Sequence, residues 1–309
     1  MQEIDGATMG TTWTVKAIRR DVPIEALQQD IEQILAAIVD QMSNWETDSR
    51  ISHFNRAPAQ SWHGLDPGFF EVLTAALNVA EQSGGAFDPT IGRLVSRWGF
   101  GPEPWTGDAP EDGEIAALAG KMRWRDINID VHARRAVQPG GVHLDFSGIA
   151  KGYAVDSLAT FLRAKGVHHF LVEVGGELSG GGVQPNGEPW WVDVEMPPGV
   201  VLPPLRIALH DLAVATSGDY RRYFDLGEKR HSHNLDPRTG APVQNGTASV
   251  TTLHSSAMMA DAYATAIMVL GPAEGLAFAE EQGLAAHMIW RTERGAEEAV
   301  SPALQAMLD

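Results

Sequence analysis

The chain has 309 residues and a formal net charge of -17, which argues against nucleic acid and anionic membrane surfaces as partners; a small anionic ligand would need local cations or a metal. A hydrophobic share of 44% with 20% charged residues describes a well-cored folded protein, at a length that suits two lobes or one large domain. Without cysteine there is no disulfide, thiolate nucleophile or sulfur-ligated metal, and no uninterrupted run of ~18 apolar residues offers a transmembrane segment.

Met1 is followed by polar Gln2-Glu3 rather than by a basic and then apolar region. The chain as written therefore reads as cytoplasmic, and a periplasmic form whose leader has been removed fits equally. The β-branched, aromatic run at 11–18 predicts a strand entered through Met9-Gly10. Pro23 then precedes a helix over about 24–41 with an apolar stripe of Leu27, Ile31, Ile34, Leu35, Ile38 and Val39. A polar loop around Trp45 closes in a short helical turn, and a second helix over 69–83 ends at Gly84-Gly85. Ala86-Phe87-Asp88-Pro89 forms a constrained turn before a short helix at 91–98. The Pro-, Gly- and acid-rich stretch 102–113 is the best candidate for a lobe boundary within a single domain over 1–309.

A small helix at 114–122 and hairpin strands at 127–131 and 135–138 follow. Val142, Leu144 and Phe146 then alternate with polar residues as a half-buried strand, Ser147-Gly148 turns, and a helix runs over 149–165. Further strands are predicted at 168–174, 190–195, 205–209, 212–216, 248–253 and 286–290. A long polar loop contains His231, His233, Asp236-Pro237 and Thr239-Gly240, 256–270 reads as a nearly all-apolar helix and 274–282 as a final helix. Strands in antiparallel-looking groups with helices over them make an α+β class.

Several residues carry chemistry in this pattern. The 142–149 turn delivers Asp145 to a helix start with Lys151 in its first turn, an arrangement that favours a phosphate-bearing ligand or leaves Lys151 merely solvated. Asp261 and Thr265, four apart, share one face of a buried helix. A buried carboxylate needs a cation or strong donors: a hard ion such as Mg²⁺ beside the hydroxyl and a backbone carbonyl, or an arginine. Asp88 either holds a ligand or organises its own turn. Trp45 either stacks on a flat heteroaromatic ring or tucks onto the core. His233, with Asp236 three residues on, is either a general base or a surface residue.

In order along the chain stand Met9-Gly-Thr, Ser49-Arg-Ile-Ser-His-Phe-Asn55, Gly85-Ala-Phe-Asp88-Pro-Thr, Asp145-Phe-Ser-Gly-Ile-Ala-Lys-Gly-Tyr-Ala-Val-Asp156, Val174-Gly-Gly-Glu177, Thr216-Ser-Gly-Asp219-Tyr, His233-Asn-Leu-Asp-Pro-Arg-Thr-Gly240 and Ala260-Asp-Ala-Tyr-Ala-Thr265. Each segment is weak singly, but eight in this order resemble the ApbE family of FAD:protein FMN transferases. The resemblance implies a two-lobed, T-fold-like α+β architecture with mixed, mainly antiparallel sheets covered by helices. It implies transfer of the FMN half of FAD to a threonine of an acceptor flavoprotein, releasing AMP. Mg²⁺ would be held by Asp261, Thr265 and the carbonyl of Gly148. Met9, Trp45, Ala86, Phe87, Asp88, Asp145, Lys151 and Leu235 would bind FAD, and His233 would take the threonine proton. Trp45 stands where the family commonly has tyrosine, which keeps stacking and loses a hydroxyl. Asp145-Phe-Ser-Gly148 replaces Asp-Leu-Gly-Gly and keeps the metal-side glycine. Two alternatives are an FAD pyrophosphatase yielding free FMN and AMP, and a non-catalytic FAD-binding or delivery protein.

Overall fold

The computed structural model describes residues 1–18, 23–227 and 229–308. The chain forms two compact units, one of Met1–Ala37, Ile149–Gly218 and Gly246–Asp309, the other of Ile38–Gly148 and Asp219–Asn245. The stretch 102–113 lies inside the second unit.

The first unit is built on one eight-stranded sheet. Its strands lie in the order Gln2–Thr8, Thr11–Ala17, Phe170–Val174, Glu177–Gly181, Leu212–Gly218, Thr247–His254, Ala285–Thr292 and Gly295–Val300, every neighbouring pair antiparallel. Met9 and Gly10 alone join the first two strands. Both have positive φ, 50° and 72°, as a two-residue hairpin of matching twist requires. The edge strand Gln2–Thr8 was not expected, because Ile4 is its one buried hydrophobic residue and no alternation announces it.

Two helices, Ala150–Ala164 and Ala257–Glu281, pack on each other and on this sheet. A second apolar layer joins Val214, Leu253 and Ala285 of the sheet to Trp190, Ile207 and Leu209 of a small hairpin and to Leu304 of the helix Pro302–Leu308. Covered in this way, the strand Thr247–His254 is buried along all but its last residue. By length and composition the helix Ala257–Glu281 could cross a membrane. A count of uninterrupted apolar residues passes over it because Asp261, Thr265 and Glu274 interrupt the run. Within this unit it is a core helix, mostly buried. It breaks at Gly271 (φ 82°, ψ -179°) before Pro272, between the two helices expected from the sequence.

In the second unit, helices Arg50–Arg56 and Pro67–Gln82 bring Phe54 and Phe69 together, and Phe146 meets Phe69 edge-on at 5.2 Å. A three-stranded sheet pairs Ser61–Gly64 and Ile129–Asp130 with Arg135–Gln138. The strand expected over 142–146 does not form. A lone parallel bridge joins His143 to Ile91, because the Asn55 side chain takes both backbone groups of Leu144: Leu144 N–H donates to Oδ1 at 2.6 Å and Nδ2 donates to Leu144 O at 3.0 Å. The polar segment expected as loop contains two hairpins, Tyr223–Leu226 with Lys229–Ser232 and Leu235–Asp236 with Ala241–Pro242.

Gly152 is the tightest point between the two helices of the first unit. A Cβ there would lie 2.2 Å from the Ala257 carbonyl oxygen and 2.7 Å from Met258 Cα, both backbone atoms. Gly152→Ala is therefore expected to destabilise by about 1–3 kcal/mol, against its gain in helix propensity. Urea or thermal unfolding measures it, and an unchanged midpoint would contradict the packing.

Candidate functional site

Asp156 sets the geometry of the first unit's polar cluster. It lies in the helix Ala150–Ala164, and its carboxylate accepts from Ser256 Oγ at 2.6 Å, Ala257 N at 2.8 Å and Met258 N at 3.0 Å. Ser256 Oγ in turn accepts from Met259 N at 3.3 Å, so the start of the second helix is capped twice over. One turn further on is Asp261, 4% exposed, whose Oδ2 accepts the Gly152 N–H at 3.1 Å. Burial raises the Asp261 pKa; the Lys151 ammonium and the Gly152 N–H oppose the rise.

Lys151, next to Gly152, reaches the strand Glu177–Gly181. Its Nζ lies 2.6 Å from Glu177 Oε1, and the Glu177 side chain is only 2% exposed. Its stem runs against Gly175, where a Cβ would stand 3.1 Å from Lys151 Cδ and 2.8 Å from Thr11 Cγ2. Gly175 has φ 60°, so both conformation and space call for glycine. Burial pushes the Glu177 carboxyl up to about 8, Lys151 opposes this and Asp261 adds to it. Among the described residues Glu177 Oε2 has no hydrogen-bond partner. Thr265, one turn after Asp261, lies 3.3 Å from Ser217 by their hydroxyl oxygens.

This cluster places two buried carboxylates against one ammonium, with hydroxyls alongside. Such hard oxygen donors fit a hard divalent cation, whose charge would offset the cost of burying them ionised. Among the described residues no three His, Asp or Glu side chains gather as a metal cage. A cation held here would therefore complete its shell with backbone, water or ligand oxygens. In the sequence Glu177 and Asp156 stand only as the last letters of the Val174–Glu177 and Asp145–Asp156 motifs. The signal that could have assigned them is chemical: a buried carboxylate needs a cation or donors, and Lys151 and a helix start were both in view.

In the second unit, the Asp145 N–H donates to Pro89 O at 2.8 Å, which sets the 86–90 turn beside Asp145. Asp145 Oδ1 accepts from Ser147 N at 2.8 Å and Ser147 Oγ at 2.5 Å, while Asn44 Nδ2 donates to Oδ2 at 3.3 Å. Asp88, 8% exposed, organises its own turn: Oδ1 accepts both Thr90 N and Thr90 Oγ1 at 2.7 Å. Burial raises the Asp88 pKa, and the Thr90 bonds and Arg125 hold it back. Ala86 and Phe87 are buried, whereas Trp45 is 61% exposed rather than tucked onto the core.

Leu235 packs with Leu94, Trp98 and Phe100. His233 stands edge-on to Phe100, and its Nδ1 lies 3.0 Å from Arg222 O. A carbonyl only accepts, so Nδ1 carries the proton and Nε2 is the basic nitrogen of the neutral ring. Lys151, Asp261 and Thr265 are thus gathered in the first unit, where Met9 occupies the first hairpin turn. Asp145 and the 86–88 turn are gathered in the second, which also holds Trp45, His233, Leu235 and, at its end, Gly148.

The sequence profile of the ApbE family matches residues 9–288. A FAD:protein FMN transferase of Vibrio cholerae is 35% identical over 99% of this chain and 92% of its own length, and one of Haemophilus influenzae is 34% identical over 94% and 87%. The structure of the flavin transferase ApbE from Vibrio cholerae superposes with a TM-score of 0.91 at 34% identity, covering 98% of both chains. The apo form of the Pseudomonas stutzeri flavinyl transferase ApbE gives 0.91 at 36% identity, covering 99% of this chain and 96% of that one. With a profile match over most of its length and full-length relatives above 30% identity, this chain is a member of the ApbE family.

Proposed function

We propose that this protein is an FAD:protein FMN transferase, dependent on Mg²⁺, that joins FMN through a phosphoester to a threonine of an acceptor flavoprotein and releases AMP. The observation that carries this reading is full-length likeness to proteins of that name, 35% identical over 99% of the chain. The polar cluster and the histidine give it a chemical form.

In this reading Asp261, Thr265 and the Gly148 carbonyl hold the cation, which when bound neutralises the diphosphate and the charge growing at phosphorus. Lys151 contacts the flavin nucleotide. Asp145, fixed by Ser147 and Asn44, orients a polar edge of it, and Met9, Ala86, Phe87, Asp88 and Leu235 line the FAD site. Trp45, exposed and aromatic, stacks on the isoalloxazine. His233 Nε2 takes the proton from the acceptor hydroxyl, whose oxygen bonds to the flavin-side phosphorus. The bond from that phosphorus to the bridging oxygen breaks, and AMP leaves with the bridging oxygen. The bond of Nδ1–H to Arg222 O keeps the imidazole in the tautomer this step requires.

Purified protein with FAD, Mg²⁺ and a threonine-bearing peptide from a flavin-carrying protein should yield a peptide heavier by one FMN, with AMP released in equal amount. Free FMN with unmodified peptide would establish the pyrophosphatase instead, and FAD recovered intact would establish a binding protein. His233→Ala should lower turnover by roughly 10²–10⁴-fold, the usual worth of a general base, while FAD binding measured by flavin fluorescence is kept. Asp261→Asn should abolish turnover at any Mg²⁺ concentration tested; activity equal to that of the parent would remove Asp261 from the reaction.

A further inference from the structure

Lys151 has two carboxylates to choose between. Its Nζ is bonded to Glu177 Oε1 at 2.6 Å, yet its own backbone neighbour, Gly152, donates to Asp261 Oδ2 at 3.1 Å, so the ammonium's stem starts beside the aspartate. Its charge is felt at Asp261 as well as at Glu177. Glu177 is buried and is fixed at the start of a strand just after the Gly175-Gly176 turn, and among the described residues no other cation is paired with it. A carboxylate in that position is costly unless its charge does something the fold needs.

We propose that Glu177 is a positioning residue of the cation site: by pairing with Lys151 it holds that ammonium away from Asp261 and cancels its charge, leaving the aspartate for a divalent cation. The inference rests on the reading of Asp261 as a metal ligand and adds to it a residue with no assigned role. The Glu177 carboxyl 2.6 Å from Nζ offsets the ammonium; with it removed, the Lys151 charge that acts on Asp261 stands uncompensated. The unpartnered Glu177 Oε2 agrees with this, since one oxygen is committed to the ammonium and the residue is not there to close a hydrogen-bond network.

The test is Mn²⁺ binding to the full chain without FAD, followed by loss of the free-ion EPR signal. Glu177→Gln keeps the shape and removes the charge. It should weaken Mn²⁺ binding by about 10–100-fold, the range found for partners that stand behind metal ligands. Adding Lys151→Met to it should bring affinity back toward that of the parent, because the competing ammonium has gone. Lys151→Met alone should bind at least as tightly as the parent, a result that misfolding cannot produce. A merely structural role predicts the opposite, with the double variant no better than Glu177→Gln. That outcome, or unchanged affinity in Glu177→Gln, overturns the proposal. Asp261→Asn separates the two levels: if it abolishes Mn²⁺ binding while Glu177→Gln does nothing, only the role of Glu177 falls. If it leaves binding intact, or if the parent binds no Mn²⁺, both readings fall.

Discussion

The first unit depends on the approach of two helices at Gly152, where the absent side chain lets the backbone of one turn rest on the Ala257 carbonyl of the other. Everything polar nearby follows from that contact. Asp156 lies on the same helix and reaches three donors at the start of its neighbour, so the two helices are clasped as well as packed. With the register fixed at Ala257, Asp261 arrives one turn later opposite the Gly152 N–H, and Thr265 one turn after that beside Ser217. A larger residue at position 152 would displace the carboxylate along with the helix.

Burial is what gives this geometry chemical force. An exposed Asp and Lys lose most of their attraction to water and salt. Within the unit, Asp261 and Glu177 are almost wholly removed from solvent, and the ionised state of each depends on what positive charge stands near it. A chain with a net charge of -17 has no general attraction for a dinucleotide. A dinucleotide bound by such a chain would need cations held in place, which the roles proposed for Lys151 and for an ion at Asp261 would supply. An acidic surface also disfavours indiscriminate anion binding, which leaves the local arrangement to decide what is accepted.

Local features were legible in the sequence, and contacts between distant residues were not. Asp261 and Thr265 could be read together because four residues is one helical turn. The break at Gly271-Pro272 separated two helices on propensity alone, and Met9-Gly10 announced a turn. The pairing of Lys151 with Glu177 joins residues 26 apart, and the grip of Asn55 on Leu144 spans 89; no periodicity encodes either. The edge strand Gln2–Thr8 is not legible because it buries one large side chain, and the hairpins near His233 because their strands are too short to show a period. Asp88 shows the reverse. Its bonds to Thr90 N and Oγ1 make it a turn residue in the structure, as position before proline suggests, so any contact with a ligand must use its remaining oxygen.

The mistaken strand at 142–146 shows how the second unit holds its polar groups. Alternation of Val142, Leu144 and Phe146 does bury those three side chains, so the periodic signal reported burial faithfully. What it could not report was the partner for the backbone. Asn55 supplies through one amide what a neighbouring strand would supply through its main chain, and Asn44 donates to Leu144 O as well before reaching Asp145. Because a side chain rather than a ladder satisfies Leu144, the next residue is not committed to a sheet. Asp145 can bond back to Pro89 O through its N–H and turn its carboxylate onto Ser147. His233 is held on the same plan, with Nδ1 and its own N–H both given to the single carbonyl of Arg222, whose guanidinium donates in turn to Phe100 O at 3.1 Å. Short polar segments held at several points by such bonds present their functional atoms in fixed directions without lying inside regular structure.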